Sequence, residues 1–148
     1  MSPNTDDRIP FHRPTLDHEE EEAVLRVLRS GWLTTATEAQ AFEQEFAAAT
    51  GARHAISVSS ATAGLHLALE AAGVGPGGRV VTTPYTFTSS AEVVRYLGAD
   101  PIFADIRSED LNIDPQAVDR TLRAHENVQA VLPVHMGGYP CDLETLSH

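Results

Sequence analysis

Two rhythms of apolar and polar positions run along this chain. Between residues 17 and 30, acids at Glu19 to Glu22 precede Val24, Leu25 and Leu28. That is helical spacing, with negative charge in the first turn where the helix dipole favours it. Gly31 is the stop. A second helical stretch covers 38–50, with Phe42 and Phe46 four apart on one face and Gly51 closing it. From His54 onward the rhythm changes. Short runs of Ile, Val and Phe predict strands at 54–58, 79–83, 101–106 and 130–134, separated by helical segments at 62–72, 86–97 and 115–124. This alternation predicts an α/β fold with a mostly parallel sheet and helices on both faces. Residues 142–148 read as a helix just begun, whose crossover should deliver another strand, so the expected domain is incomplete and the ending reads as a cut.

Composition narrows the function classes. The 148 residues suffice for one ordinary domain with a real core. No apolar run approaches the ~20 residues of a bilayer span, so no membrane partner is expected. Residues 1–10 are polar and acidic where an export signal would be basic and then apolar, so a cytoplasmic location is expected. Cys141 is the single cysteine, which excludes an internal disulfide or a cysteine-based zinc cluster. Ten basic against 21 acidic residues give −11, which argues against nucleic acid. None of the seven histidines forms an i, i+4 pair on a helix, so no metal is expected.

Three stretches carry candidate chemistry. After the expected strand at 54–58 comes Ser59-Ser-Ala-Thr-Ala-Gly-Leu65, small and hydroxyl residues at the start of a helix, where free amides and the dipole favour a phosphate. Ser60 or Thr62 could equally be only an N-cap. Gly73-Val-Gly-Pro-Gly-Gly78 has the spacing of a dinucleotide fingerprint. However, it follows a helix and precedes a strand, the reverse of what that motif needs, so it reads as a helix stop and loop. Pro84-Tyr-Thr-Phe87 puts aromatics at the carboxyl end of a strand, the edge where open α/β sheets bind ligands. There Tyr85 or Phe87 is either a cover for a flat ring or part of the core. His135, at the same edge, reads more readily as a hydrogen-bonded structural histidine than as an acid or base.

Taken in order, Ser30-Gly-Trp-Leu-Thr-Thr35, Ser59-Ser-Ala-Thr-Ala-Gly-Leu-His66, Pro84-Tyr-Thr-Phe87, Leu97-Gly-Ala-Asp-Pro101, Leu111-Asn-Ile-Asp-Pro115 and Pro133-Val-His-Met-Gly-Gly-Tyr-Pro140 resemble the DegT/StrS family of sugar aminotransferases dependent on pyridoxal 5'-phosphate (PLP). The Ser-Ser-Ala-Thr-Ala-Gly version especially resembles the aminotransferases of UDP-4-amino-4-deoxy-L-arabinose synthesis. The resemblance implies part of a fold-type I PLP aminotransferase large domain. Residues 1–30 would be an N-terminal arm and helix, and 31–148 an incomplete PLP-binding domain. It implies amino transfer from glutamate to a nucleotide-linked keto-sugar, in cell-surface polysaccharide, lipid A or antibiotic sugar synthesis, by a homodimer.

Carried over residue by residue, the resemblance gives Ala61 and Thr62 the PLP phosphate and Phe87 the pyridine ring. Tyr85 becomes a pocket wall, and Thr34, Thr35 and His135 become substrate-pocket candidates. Where family members commonly carry Gly-Pro after the Thr-Thr pair, this chain has Ala36-Thr37. The family's Schiff-base lysine, its aspartate on the pyridine nitrogen, a further phosphate-binding serine and a C-terminal domain are expected beyond His148. All ten basic residues here are Arg, so these 148 residues supply no catalytic lysine and are expected to be inactive alone. Two other readings stay open: a PLP- or PMP-dependent sugar dehydratase on the same scaffold, with histidine in place of the lysine, and a non-catalytic half-subunit that needs a partner.

Overall fold

A computed structural model describes residues 13–147; most of the expected N-terminal arm, with His12, and also His148 lie outside the described residues. Two compact units divide between Ser57 and Val58.

The first unit contains α1 (His18–Ser30) and α2 (Thr37–Thr50). Asp17 caps α1 reciprocally with Glu20: its carboxylate accepts from Glu19 N–H at 2.9 Å, and Glu20 accepts from Asp17 N–H at 2.8 Å. Gly31 ends α1 at φ +72°, the left-handed region that glycine enters without a Cβ penalty. The apolar stripes of both helices are solvent-exposed within this unit, at Val24, Leu28, Phe42 and Phe46. The segment at 54–58 corrects the sequence reading. Among the described residues no strand pairs with it, so it is not a strand, and Ile56 is exposed. Glu43, from α2, instead accepts from both the N–H and the hydroxyl of Ser57, at 2.7 and 2.8 Å, and these bonds hold its carboxyl below the usual carboxylate range.

The second unit is the α/β body. It contains α3 (Ala61–Ala71), β1 (Arg79–Thr82), α4 (Ser89–Tyr96), β2 (Asp100–Phe103), α5 (Pro115–Ala124), β3 (Val128–Val131) and a short α6 (Leu143–Leu146). The sheet is parallel throughout, in the order β2-β1-β3, with β1 central. Successive side chains of β1 point to opposite faces. Val80 enters one core with Leu69, Val74, Val93, Val94 and Ala99, under α3 and α4. Val81 enters the other with Ala104, Ile113, Ala117, Val118 and Cys141, under α5. Burial on both faces is why β1 reads as an unbroken apolar run.

Local chemistry sets the element ends. The 73–78 stretch is a turn, with Gly73 and Gly77 at positive φ. Gly98 ends the α4 region at φ +73°, where a Cβ would come within 3.3 Å of Pro76. Strand β2 stops before the expected 106 because Ile106 bridges antiparallel to Ile113 and leaves the parallel ladder. Helix α4 starts at Ser89, after the expected 86, since residues 86–88 form a turn into it. Among the described residues no helix is long and apolar enough to cross a membrane.

Candidate functional site

At the carboxyl edge of the sheet, within the second unit, a cleft of about 670 Å³ opens between the start of α3, the loop after β1 and the segment after β3. Four of the residues singled out from the sequence line it: Ala61, Thr62, Tyr85 and Phe87. The start of α3 forms one wall. Ser60 is its N-cap; the hydroxyl accepts from Ala63 N–H at 3.1 Å, and the carbonyl from Gly64 N–H at 3.1 Å. The amides of Ala61 and Thr62 are left without an intrahelical acceptor, as the first turn of any helix requires. The positive end of the α3 dipole therefore lies at the wall of a ligand-sized space.

The loop after β1 forms the second wall. Thr83, itself buried, accepts from Tyr85 N–H at 3.2 Å in a side-chain turn, and Thr86, ahead of α4, shares a hydrogen bond of 2.8 Å with Ser90 in that helix's first turn. These bonds shape the loop that carries Phe87, which is 78% exposed and so belongs to no core.

The third wall is Leu132, Pro133, Val134 and Met136. Leu132 is fixed from β1, since its N–H donates to Val81 O at 2.8 Å and Thr82 Oγ1 donates to its carbonyl at 2.9 Å. His135 lies between lining residues but does not line the cleft. Its Nδ1 accepts from Cys141 N–H at 3.0 Å, while the Cys141 thiol donates to Val134 O at 3.1 Å. Burial raises the Cys141 thiol above its ordinary value and keeps it protonated for that bond.

Thr34 and Thr35 line a cleft of about 530 Å³ within the first unit, beside Trp32, whose indole N–H donates to Thr35 O at 3.3 Å. Ala36, the N-cap of α2, makes no side-chain cap bond and has extended backbone, φ −148°, which any residue adopts. Ser89, Ser90 and the apolar wall from Leu132 to Met136 were missed as lining residues. The Thr86/Ser90 spacing of four, at a helix start beside a strand's carboxyl end, was the available signal.

Residues 14–148 match the sequence model of the DegT/DnrJ/EryC1/StrS aminotransferase family. The chain belongs to that family. It is 45% identical over 138 residues to the spore coat polysaccharide biosynthesis protein SpsC of Bacillus subtilis (strain 168), covering 93% of this chain and 35% of SpsC. Among solved structures, 3-amino-5-hydroxybenzoic acid synthase superposes with a TM-score of 0.84 at 37% identity, over 90% of this chain and 35% of the synthase. The sugar aminotransferase candidate Spr1654 of Streptococcus pneumoniae, solved in a PLP-form and a PMP-form, gives 0.87 at 32% identity, over 94% of this chain and 35% of its own. The parallel sheet with its flanking helices is thus part of the α/β fold of these aminotransferases, and the chain spans about a third of the length of the relatives it matches.

Proposed function

We propose that the protein carrying this chain is a PLP-dependent aminotransferase that moves an amino group from glutamate to a nucleotide-linked keto-sugar. One observation carries the reading: the first two residues of helix α3, whose amides have no intrahelical acceptor, and the exposed Phe87 line the same cleft. The residues fit the cofactor. Ala61 and Thr62 amides, with the Thr62 hydroxyl, are donors suited to a phosphate dianion, and Phe87 offers a free face to a pyridine ring. Bound there, PLP supplies the electron sink for carbon–nitrogen chemistry. The chain's own part is to grip, orient and keep water from the ring: the α3 terminus anchors one end, Phe87 covers one face, and Tyr85 with Pro133, Val134 and Met136 walls the rest. Thr34, Thr35 and His135 are assigned to the substrate side. Residues 1–30 as arm and helix, 31–148 as part of the PLP-binding domain, a homodimer and a cytoplasmic location complete the proposal. SpsC, a polysaccharide biosynthesis protein, supports a product destined for a surface polysaccharide.

The 148 residues hold no lysine, so the Schiff-base amine comes from sequence outside them. The dehydratase and half-subunit readings stay open beside it, and one experiment separates the aminotransferase from both. The longest protein containing this chain is titrated with PLP and then given glutamate and a keto-sugar nucleotide. A borohydride-sensitive absorption band followed by formation of 2-oxoglutarate and an amino sugar is the expected result. Bound PLP without a borohydride-sensitive band and with loss of water from the sugar indicates the dehydratase. A wild-type protein with no spectral change refutes the cofactor assignment.

A further inference from the structure

We propose that Asn112 is a positioning residue that holds the 133–140 segment as a wall of the cleft; its link to the reaction rests on the reading of that cleft as the PLP site. Asn112 is fully buried, and every side-chain bond it makes goes to one distant stretch of chain. Its Nδ2 donates to Tyr139 O at 3.1 Å and to Pro140 O at 3.2 Å, and its Oδ1 accepts from Met136 N–H at 2.9 Å. The partners fix the amide's orientation, since carbonyls need the nitrogen and an N–H needs the oxygen.

The clamped stretch has bonds of its own, Gly138 N–H to His135 O and Tyr139 N–H to Met136 O, each at 3.0 Å, but its middle is costly to order. Gly137 and Gly138 sit side by side at φ +61° and +83°, and glycine gives up more backbone freedom on ordering than any other residue. Met136, whose N–H is the clamped group, lines the cleft with Pro133 and Val134. Asn112 itself is held by a tight turn. Its N–H donates to Asp110 Oδ1 at 3.1 Å, its carbonyl accepts from Arg107 N–H at 2.8 Å, and Asp110 is ion-paired to Arg107. Between them Leu111 adopts φ +62°, uncommon for a residue with a branched side chain. Such strain persists only where the surroundings over-determine it, and it clusters at sites that must be placed accurately. The turn therefore delivers the Asn112 amide at a set height beneath the Gly-Gly stretch.

Asparagine suits this place because two acceptors and one donor face it. An ionised aspartate would set a carboxylate against two carbonyl oxygens, whereas a protonated one regains a single O–H donor. In the longest protein containing this chain, Asn112→Ala and Asn112→Asp are compared with wild type by PLP titration across pH and by hydrogen exchange. Both variants are expected to bind PLP about tenfold more weakly, since Asn112→Ala loses all three buried hydrogen bonds and the ionised Asn112→Asp loses the two to carbonyls. For N112D the deficit shrinks as pH falls and the aspartate takes up a proton, while for N112A it stays constant. Exchange rises at 135–141 and not at the amides of α4. Should N112A fail to fold, N112D, which keeps shape and an acceptor for Met136 N–H, carries the test. Wild-type PLP affinity in a folded variant, or exchange raised evenly over the unit, overturns the proposal. If wild type itself binds no PLP, the cofactor reading falls, and local exchange at 135–141 still decides the clamp.

Discussion

Phe87→Ala separates a ring that serves a ligand from one that serves the fold. Phe87 is 78% exposed, so removal of its ring uncovers little apolar surface and leaves no cavity. A substitution of that kind changes stability by no more than about 0.5 kcal/mol. Against a bound pyridine the balance reverses. Aromatic stacking contributes roughly 0.5–1.5 kcal/mol beyond the area it covers, and that area adds at about 25 cal/mol per Å². Together these give a loss of roughly 1–2 kcal/mol, or about 5- to 30-fold in the PLP dissociation constant. The assay pairs an absorbance titration with a melting curve of the apo protein, on wild type, Phe87→Ala, Phe87→Leu and Phe87→Trp. The expected order of affinity is Trp and wild type first, then Leu, then Ala, with melting temperatures close together. An unchanged dissociation constant in Phe87→Ala would refute the stacking role. A large fall in melting temperature would show that the ring serves packing instead.

The other predictions concern the supports of the site. Ser60→Ala removes the cap of α3 and should cost about 1 kcal/mol in chemical denaturation, with weaker PLP binding because the first turn frays where the phosphate docks. Leu111, at φ +62°, already carries the roughly 1–2 kcal/mol that the left-handed region costs an L-residue, so Leu111→Gly, relieved of it at the cost of unfolded-state entropy, should be near neutral in the same urea titration, whereas the β-branched Leu111→Val should fall below wild type. The Arg107 guanidinium, bonded to Asp110, holds that carboxyl below its ordinary 3.8, and Thr145 N–H does the same for Asp142. Stability from both is therefore present in full above the ordinary carboxylate value and lost as pH falls through the lowered folded value. Denaturation midpoints should drop on the acid side of 3.8, and Asp110→Asn should flatten that limb; a variant with an unchanged acid limb would show that Asp110 does not contribute to it.

What could be read in advance follows how locally each feature is encoded. Helix α5 runs over the expected 115–124, because Asp114 caps it through Gln116 N–H and Pro115 opens it, signals contained within three residues. The turn at 73–78 was equally legible from glycine and proline order. Strands are less local. The 54–58 segment carries strand-forming residues, yet a strand also needs a partner, and no propensity in those five residues states whether an edge lies beside them. The early end of β2 has the same origin, since the bridge between Ile106 and Ile113 is a pairing decision and not a preference of either residue.

The cleft divides along the same line. That Tyr85, Phe87 and the 132–136 segment gather in one place follows from topology, because parallel strands bring their carboxyl ends to a single edge, and the start of α3 with Ala61 and Thr62 joins them there without a strand before it. Side-chain partners are another matter. His135 sits in sequence at that edge, and only the folded chain shows that its Nδ1 receives the backbone N–H of Cys141, a bond no local signal announces. Asn112 is the sharper case. An asparagine in an Asp-Leu-Asn-Ile-Asp run reads as a polar turn residue facing water, and the residues that bury it lie 24 to 28 positions away. Its side chain is specified by three partners that converge from elsewhere, so the sequence around it sets the turn that carries it and not the bonds it makes. The residues that grip a ligand can be anticipated from helix starts and strand ends; those that hold the gripping loops in register emerge only once the chain has folded back on itself.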